Sequence, residues 1–166
     1  MWNKIDLENF EIKPFNLIAN DWYLIGVKSR GRSNMMTASW GQIGHLWKKH
    51  VFTLYVRPQR FTRPLLDESD YFTVSVLPKQ KEALNFLGRE SGRDYSDKIK
   101  SSGLSETTID GHVTVEEAEL VLICKKLYRQ QLEEDLFEDS ELAEERYPNK
   151  DYSIQYIGEV VAAYHK

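Results

Sequence analysis

The sequence predicts a mainly β protein, an antiparallel barrel with a few helices attached. Three observations carry this. Segments rich in β-branched and aromatic residues recur along the chain, each closed by turn residues or proline. Only about two segments switch to the helical period. No βαβ unit with a glycine fingerprint occurs, which removes the parallel dinucleotide-binding sheet. The chain has 166 residues, 41% hydrophobic and 12% aromatic. That fits one domain, residues 1–166, with a real core.

The elements follow in order. "WYLIGVKSR" (22–30) and the segment 33–40 read as a hairpin across the turn signal "GRSN". "HVFTLYVRP" (50–58) is a third strand, stopped by Pro58. "RFTRPLLDES" fits a helical turn or two, and "DYFTVSVLP" (70–78) a fourth strand. "KQKEALNFLGRES" then places Ala83, Leu84, Phe86 and Leu87 on one helical face. "SDKIKSSG" reads as a short helix with Ser96 near its start and Gly103 past its end. The segments 119–132 and 153–165 are long strands. Strict alternation would put Ile154, Tyr156, Gly158, Val160, Ala162 and Tyr164 on one face of the last.

Composition excludes several classes. The net charge is −4, so there is no overall electrostatic footprint for nucleic acid. The single cysteine, Cys124, rules out an intrachain disulfide and zinc sites of the CxxC kind. His45, His50, His112 and His165 are scattered without ligand spacing, and the carboxylate run "EEDLFEDSELAEE" reads as an exposed helix or loop, so no metal is expected. The longest apolar run, "LVLIC", is too short to span a bilayer. The first residues carry acids where a signal peptide would be apolar. The expectation is a cytoplasmic protein without a membrane or nucleic-acid partner.

Three clusters offer donors to an anion. In "RSNMMTASWGQIG" (32–44), alternation puts Thr37 and Ser39 on one face of a strand, about 7 Å apart. Ala38 and Gly41 leave room for a flat ligand against the backbone. In "YVRPQRFTRP", Arg57, Arg60 and Arg63 lie close together with Thr62 among them, and guanidinium forks suit phosphate oxygens. In "GRESGRDYSDK" (88–98), Ser91 and Gly92 form a small-residue corner, with Arg93 and Lys98 adding charge. Each cluster alone also reads as an ordinary strand, turn or loop. Together, with methionine and aromatic neighbours, they point to a phosphorylated aromatic cofactor.

The order "NMMTASWG", "YVRPQRFTRPLL", "DYFTVSVL", "LGRESGRDYSDK" and "YPNKDYSIQYIGEV" resembles the flavin reductase-like family, the FMN-binding split barrels that include flavoredoxin. The likeness runs from about Phe15 to Tyr164. It implies a Greek-key split β-barrel, a homodimer, and noncovalent FMN. It also implies a flavin oxidoreductase taking electrons from NAD(P)H, or else an FMN-binding electron-transfer or sensor module reduced by a protein partner. By position, it puts Asn34, Met36, Thr37, Ala38 and Ser39 along the flavin. Arg57, Arg60, Phe61 and Thr62 fall by the ribityl phosphate, and Ser91, Gly92 and Lys98 complete the anion pocket. The hydride chemistry would belong to the flavin, so no catalytic acid or base is assigned. One departure stands out. Many relatives carry a histidine in the tail motif where this chain has Ser153, which weakens the expectation of NAD(P)H use.

Overall fold

The computed structural model describes residues 1–166. The strands are β1 (Asn3–Lys4), β2 (Tyr23–Ser29), β3 (Arg32–Ala38), β4 (Gly41–Leu46), β5 (Lys49–Val56), β6 (Tyr71–Val76), β7 (Glu106–Ile109), β8 (His112–Val115), β9 (Leu120–Gln131) and β10 (Ile154–His165). The helices are short: α1 (Pro14–Asn16), α2 (Thr62–Glu68), α3 (Lys81–Arg89), α4 (Lys98–Ser101) and α5 (Ser140–Arg146). The main sheet runs β3-β2-β6-β9-β10-β5-β4, all antiparallel, with β1 appended to β10. β7 and β8 form a separate hairpin.

Strands β3 and β4 are the two edges of this sheet, yet they are consecutive in the chain. Only Ser39 and Trp40 separate them. So short a link forces the sheet to coil until its edges share a corner, where the Tyr23 hydroxyl donates to the Trp40 carbonyl. No ladder joins β3 to β4, so the barrel is split along that seam.

Strands β2, β6 and β9 are buried on both faces over much of their length. Tyr23, Ile25, Phe72, Val74, Leu122 and Cys124 point into the barrel, where Leu65 and Leu66 of α2 close one end. Leu24, Met35, Val121 and Ile123 point the other way, under Leu84 and Leu87 of α3, Ile99 of α4 and Val113 of β8. Hence β2 and the first half of β9 read as continuous apolar runs, whereas β6 carries Thr73 and Ser75 on its outer face. Polar contacts also tie β6 to the hairpin above it. The Thr73 hydroxyl donates to the Val113 carbonyl (2.6 Å), and Ser75 meets Thr114 (2.8 Å).

The structure corrects two expectations. About six strands were expected, and ten are present. The expected single face of β10 holds only to Val160, because a bulge there leaves Val161 unpaired against β9 and half-exposed. Beyond it the alternation inverts: Ala163 joins the barrel core, while Ala162 and Tyr164 face the outer layer. The short helix expected near Ser96 is α4, with Gly103 past its end as expected, and its cap is Asp97, whose carboxylate accepts from the Lys100 amide at 3.0 Å.

The β4–β5 turn is strained. Trp47 (φ 53°) and Lys48 (φ 59°) both adopt left-handed conformations that L-residues avoid. Relief at one position outweighs the extra unfolded-state freedom of glycine, so Lys48→Gly should raise stability by about 0.5 kcal/mol. Urea unfolding checks this, and a lower midpoint would contradict it.

Candidate functional site

The site is built on the outer edge of β3. An edge strand leaves one row of backbone donors and acceptors without sheet partners. Here α2, α3 and α4 pack against that strand. They leave a cleft at its side, closed by the loop between α3 and α4.

Lys98 opens α4 and is 6% exposed. Its ammonium donates to the Met35 carbonyl of β3 (3.2 Å) and the Leu87 carbonyl of α3 (2.9 Å). Both partners are neutral. Burial and the neighbouring Arg60 push its pKa down to about 8, against an opposing pull from Glu90. Arg60 is also half-buried, and its only side-chain hydrogen bond goes to the Gly88 carbonyl, at 2.8 Å. Burial, then Arg57, lowers its pKa too. A buried and a half-buried cation therefore share a small space without a carboxylate bonded to either. Such an arrangement favours an incoming anion.

The cleft has a volume of about 140 Å³. Of the sequence-derived candidates, Asn34, Met36, Arg60, Phe61, Thr62, Ser91, Gly92 and Lys98 all line it. The Asn34 amide donates to the Thr62 hydroxyl (2.7 Å), fixing both buried side chains. The Arg93 guanidinium lies 5.5 Å from the centre of the Phe61 ring and donates to the Gln59 carbonyl. Gly92 is needed for packing: a Cβ there would stand 2.5 Å from the Phe61 ring and 2.7 Å from Asn34 Oδ1.

The other four candidates lie elsewhere. The Thr37 hydroxyl donates to the Leu84 carbonyl of α3 (2.6 Å), so it braces the helix. Ala38 and Ser39 continue along the seam toward Trp40. Arg57, grouped with Arg60 in sequence, pairs with Asp151 (2.7 Å), donates to the Arg146 carbonyl and packs on the Tyr147 and Trp40 rings. Hydrogen bonds from Arg57 and Gln59 hold Asp151 below the usual carboxylate range. Arg63 is likewise paired, with Asp67 at 2.9 Å. Ion pairing thus separates the arginines that pin structure from the one that faces the cleft.

Gln59, Arg89 and Glu90 also line the cleft and escaped sequence reading. The cationic loop "GRESGR" was the available signal for the last two. In the tail, Ser153 is fully buried and accepts from the Tyr147 hydroxyl (2.9 Å). Tyr156 is a core residue whose hydroxyl donates to Asp67 (2.7 Å).

The family model for the flavin reductase like domain matches residues 15–166. The chain belongs to the flavin reductase-like family. Solved members share the fold at low identity. An FMN-binding domain of a flavin reductases-like enzyme from Shewanella baltica superposes with a TM-score of 0.71 at 19% identity, over 99% of this chain and 77% of that one. Flavoredoxin from Methanosarcina acetivorans gives 0.67 at 18% identity, over 99% and 76%. The NADH:FAD oxidoreductase SgcE6 of Streptomyces globisporus, solved with NAD and FAD fragments, gives 0.64 at 17%, over 88% and 74%. No curated protein matches the chain.

The residues present fit the phosphate of a flavin nucleotide, because the cleft supplies unpaired cations, a serine hydroxyl and an open strand edge. Gly92→Ala should displace Phe61 and lower stability by about 1–3 kcal/mol. Thermal unfolding measures it, and an unchanged melting temperature would refute the tight packing described.

Proposed function

We propose that the protein binds FMN noncovalently along β3 and acts as a flavin-dependent oxidoreductase with NAD(P)H as electron donor. One observation carries the reading: Lys98, buried, and Arg60, half-buried, neither bonded to a carboxylate, face one cleft with Asn34, Thr62 and Ser91. In this reading Lys98, Arg60 and Ser91 hold the phosphate, with Arg93 beside them. Asn34, Met36, Phe61 and Thr62 flank the ribityl chain. Thr37, Ala38 and Ser39 supply backbone along the ring. From Asn34 to Trp40 the strand would extend about 20 Å, enough for a mononucleotide laid lengthwise.

When bound, FMN would supply hydride and single-electron chemistry. This chain's own groups orient it and exclude water. The unpartnered N–H groups of the β3 edge offer fixed dipoles to negative charge on the ring, at no cost of reorganisation. No side-chain acid or base is needed for that task.

A second reading, an electron-transfer or sensor module served by a protein partner, is favoured by the tail. The position where relatives carry histidine is Ser153, and its hydroxyl is already engaged by Tyr147. Neither it nor Tyr156 offers a free group to a nicotinamide.

Flavin-free protein titrated with FMN should quench flavin fluorescence, and Lys98→Met should weaken binding roughly tenfold to a hundredfold. An anion raises the Lys98 pKa from its free value of about 8. Between the free and bound values binding takes up a proton, so affinity is retained below about pH 8 and falls as pH rises beyond it. A wild-type profile identical to that of Lys98→Met would refute the assignment. For the donor, anaerobic mixing of NADH or NADPH with the FMN-loaded protein should bleach the flavin in a stopped-flow trace. Persistent yellow colour would favour the second reading.

A further inference from the structure

The histidines show no ligand spacing along the chain, but the fold brings two of them together. The β4–β5 hairpin sets His45 directly opposite His50. Opposed residues of an antiparallel pair put their side chains on one face, with Cβ atoms about 4.5–5.5 Å apart. The two imidazole rings stand 5.9 Å apart between centroids and are inclined at 64°. Both residues are exposed, near the turn of the hairpin that ends the main sheet.

These dimensions suit one metal ion held by both rings. Divalent ions late in the first transition row bind neutral imidazole, copper(II) most tightly. At metal–nitrogen distances of about 2.0–2.1 Å, two imidazoles on one tetrahedral ion have ring centroids about 5 Å apart. Small side-chain rotations bring this pair to that spacing, and exposed side chains make them freely. No three His, Cys, Asp or Glu side chains are gathered as a ready-made metal cluster. The site therefore has two protein ligands, with water to complete the shell. Nearby charge does not oppose a cation. Glu8 places a carboxylate oxygen 3.7 Å from His50 Nε2, and Lys49, on the other face of the strand, is paired with Glu159 at 2.9 Å.

We propose that His45 and His50 form a cross-strand site for a divalent transition metal, with copper(II) preferred. The inference does not depend on the flavin reading. Glu8 precedes residue 15, where the family match begins, so that flank of the site lies outside the matched domain. The metal would staple β4 to β5 across a turn whose residues, Trp47 and Lys48, are both left-handed. An ion that needs the two rings in register binds the folded hairpin and not the open one, so it stabilises the hairpin by mass action.

The test titrates the metal-free protein with copper(II) sulfate by calorimetry and reads the loaded protein by electron paramagnetic resonance. The spectrum of the tightest-bound ion should show coupling to two imidazole nitrogens. His45→Ala and His50→Ala should each weaken binding about tenfold or more. Both positions are exposed, so each variant should keep the wild-type melting temperature. His112→Gln and His165→Gln should bind copper within about twofold of wild type. A register control adds Gly44→His to His45→Ala. It keeps the number of histidines but turns the ring to the other face, and it should not restore binding. Gly44 has open space where the Cβ would stand, so the control is accommodated. No copper binding, a single nitrogen ligand, full affinity in His45→Ala or His50→Ala, or rescue by the relocated histidine would overturn the proposal.

Discussion

The ammonium of Lys98 ties three elements of the site together. It is carried by α4 and donates to one carbonyl on β3 and one on α3. Those bonds stop the helices from drifting off the strand edge and set the width of the cleft. Carbonyl dipoles satisfy the hydrogen-bonding needs of a buried cation, yet they do not neutralise it. Its depressed pKa, with burial as the leading cause, records that shortfall. In the proposed reading, a ligand bringing negative charge would complete what the fold leaves open, so that the same residue would both position the cleft and select its occupant.

The seam explains why β3 is the strand with an edge to offer. Joining β3 to β4 through Ser39 and Trp40 coils the sheet without closing its ladder. An open edge usually invites aggregation. In this protein α2, α3 and α4 cover it and leave space around Asn34, Met36 and Gly92. The opposite edge, β4, runs from the other side of the corner, where Trp40, Tyr147 and Arg57 pack together. Arg57 thereby anchors the segment after α5 to the barrel through Asp151.

Much of this was legible in the sequence, for physical reasons that differ by element. Strands β2, β6 and β9 are buried on both faces, so their β-branched and aromatic residues stand out. Strand β4 is an edge with Gly41, Gln42, Gly44 and His45, and it carries little apolar pattern. The β7–β8 hairpin is short, although Asp110–Gly111 with φ of 48° and 79° is a readable turn signal. The bulge at Val161 has no sequence mark, because "EVVAAY" continues without interruption. In the site, residue types were visible but pairings were not. Arg57 and Arg60 look equivalent three positions apart. The difference is Asp151, 94 residues away in the chain, which neutralises only one of them.

The most direct measurement is the titration of Lys98 itself, followed by NMR of protein carrying 13C at the lysine Cε, with Lys98→Met used to assign the signal. The account predicts a pKa of about 8 in the flavin-free protein, moving upward when FMN is added and staying in place when riboflavin replaces it. A Lys98 signal that titrates like an exposed lysine, or one that FMN leaves unmoved, would contradict the claim that this buried cation is the seat of the phosphate.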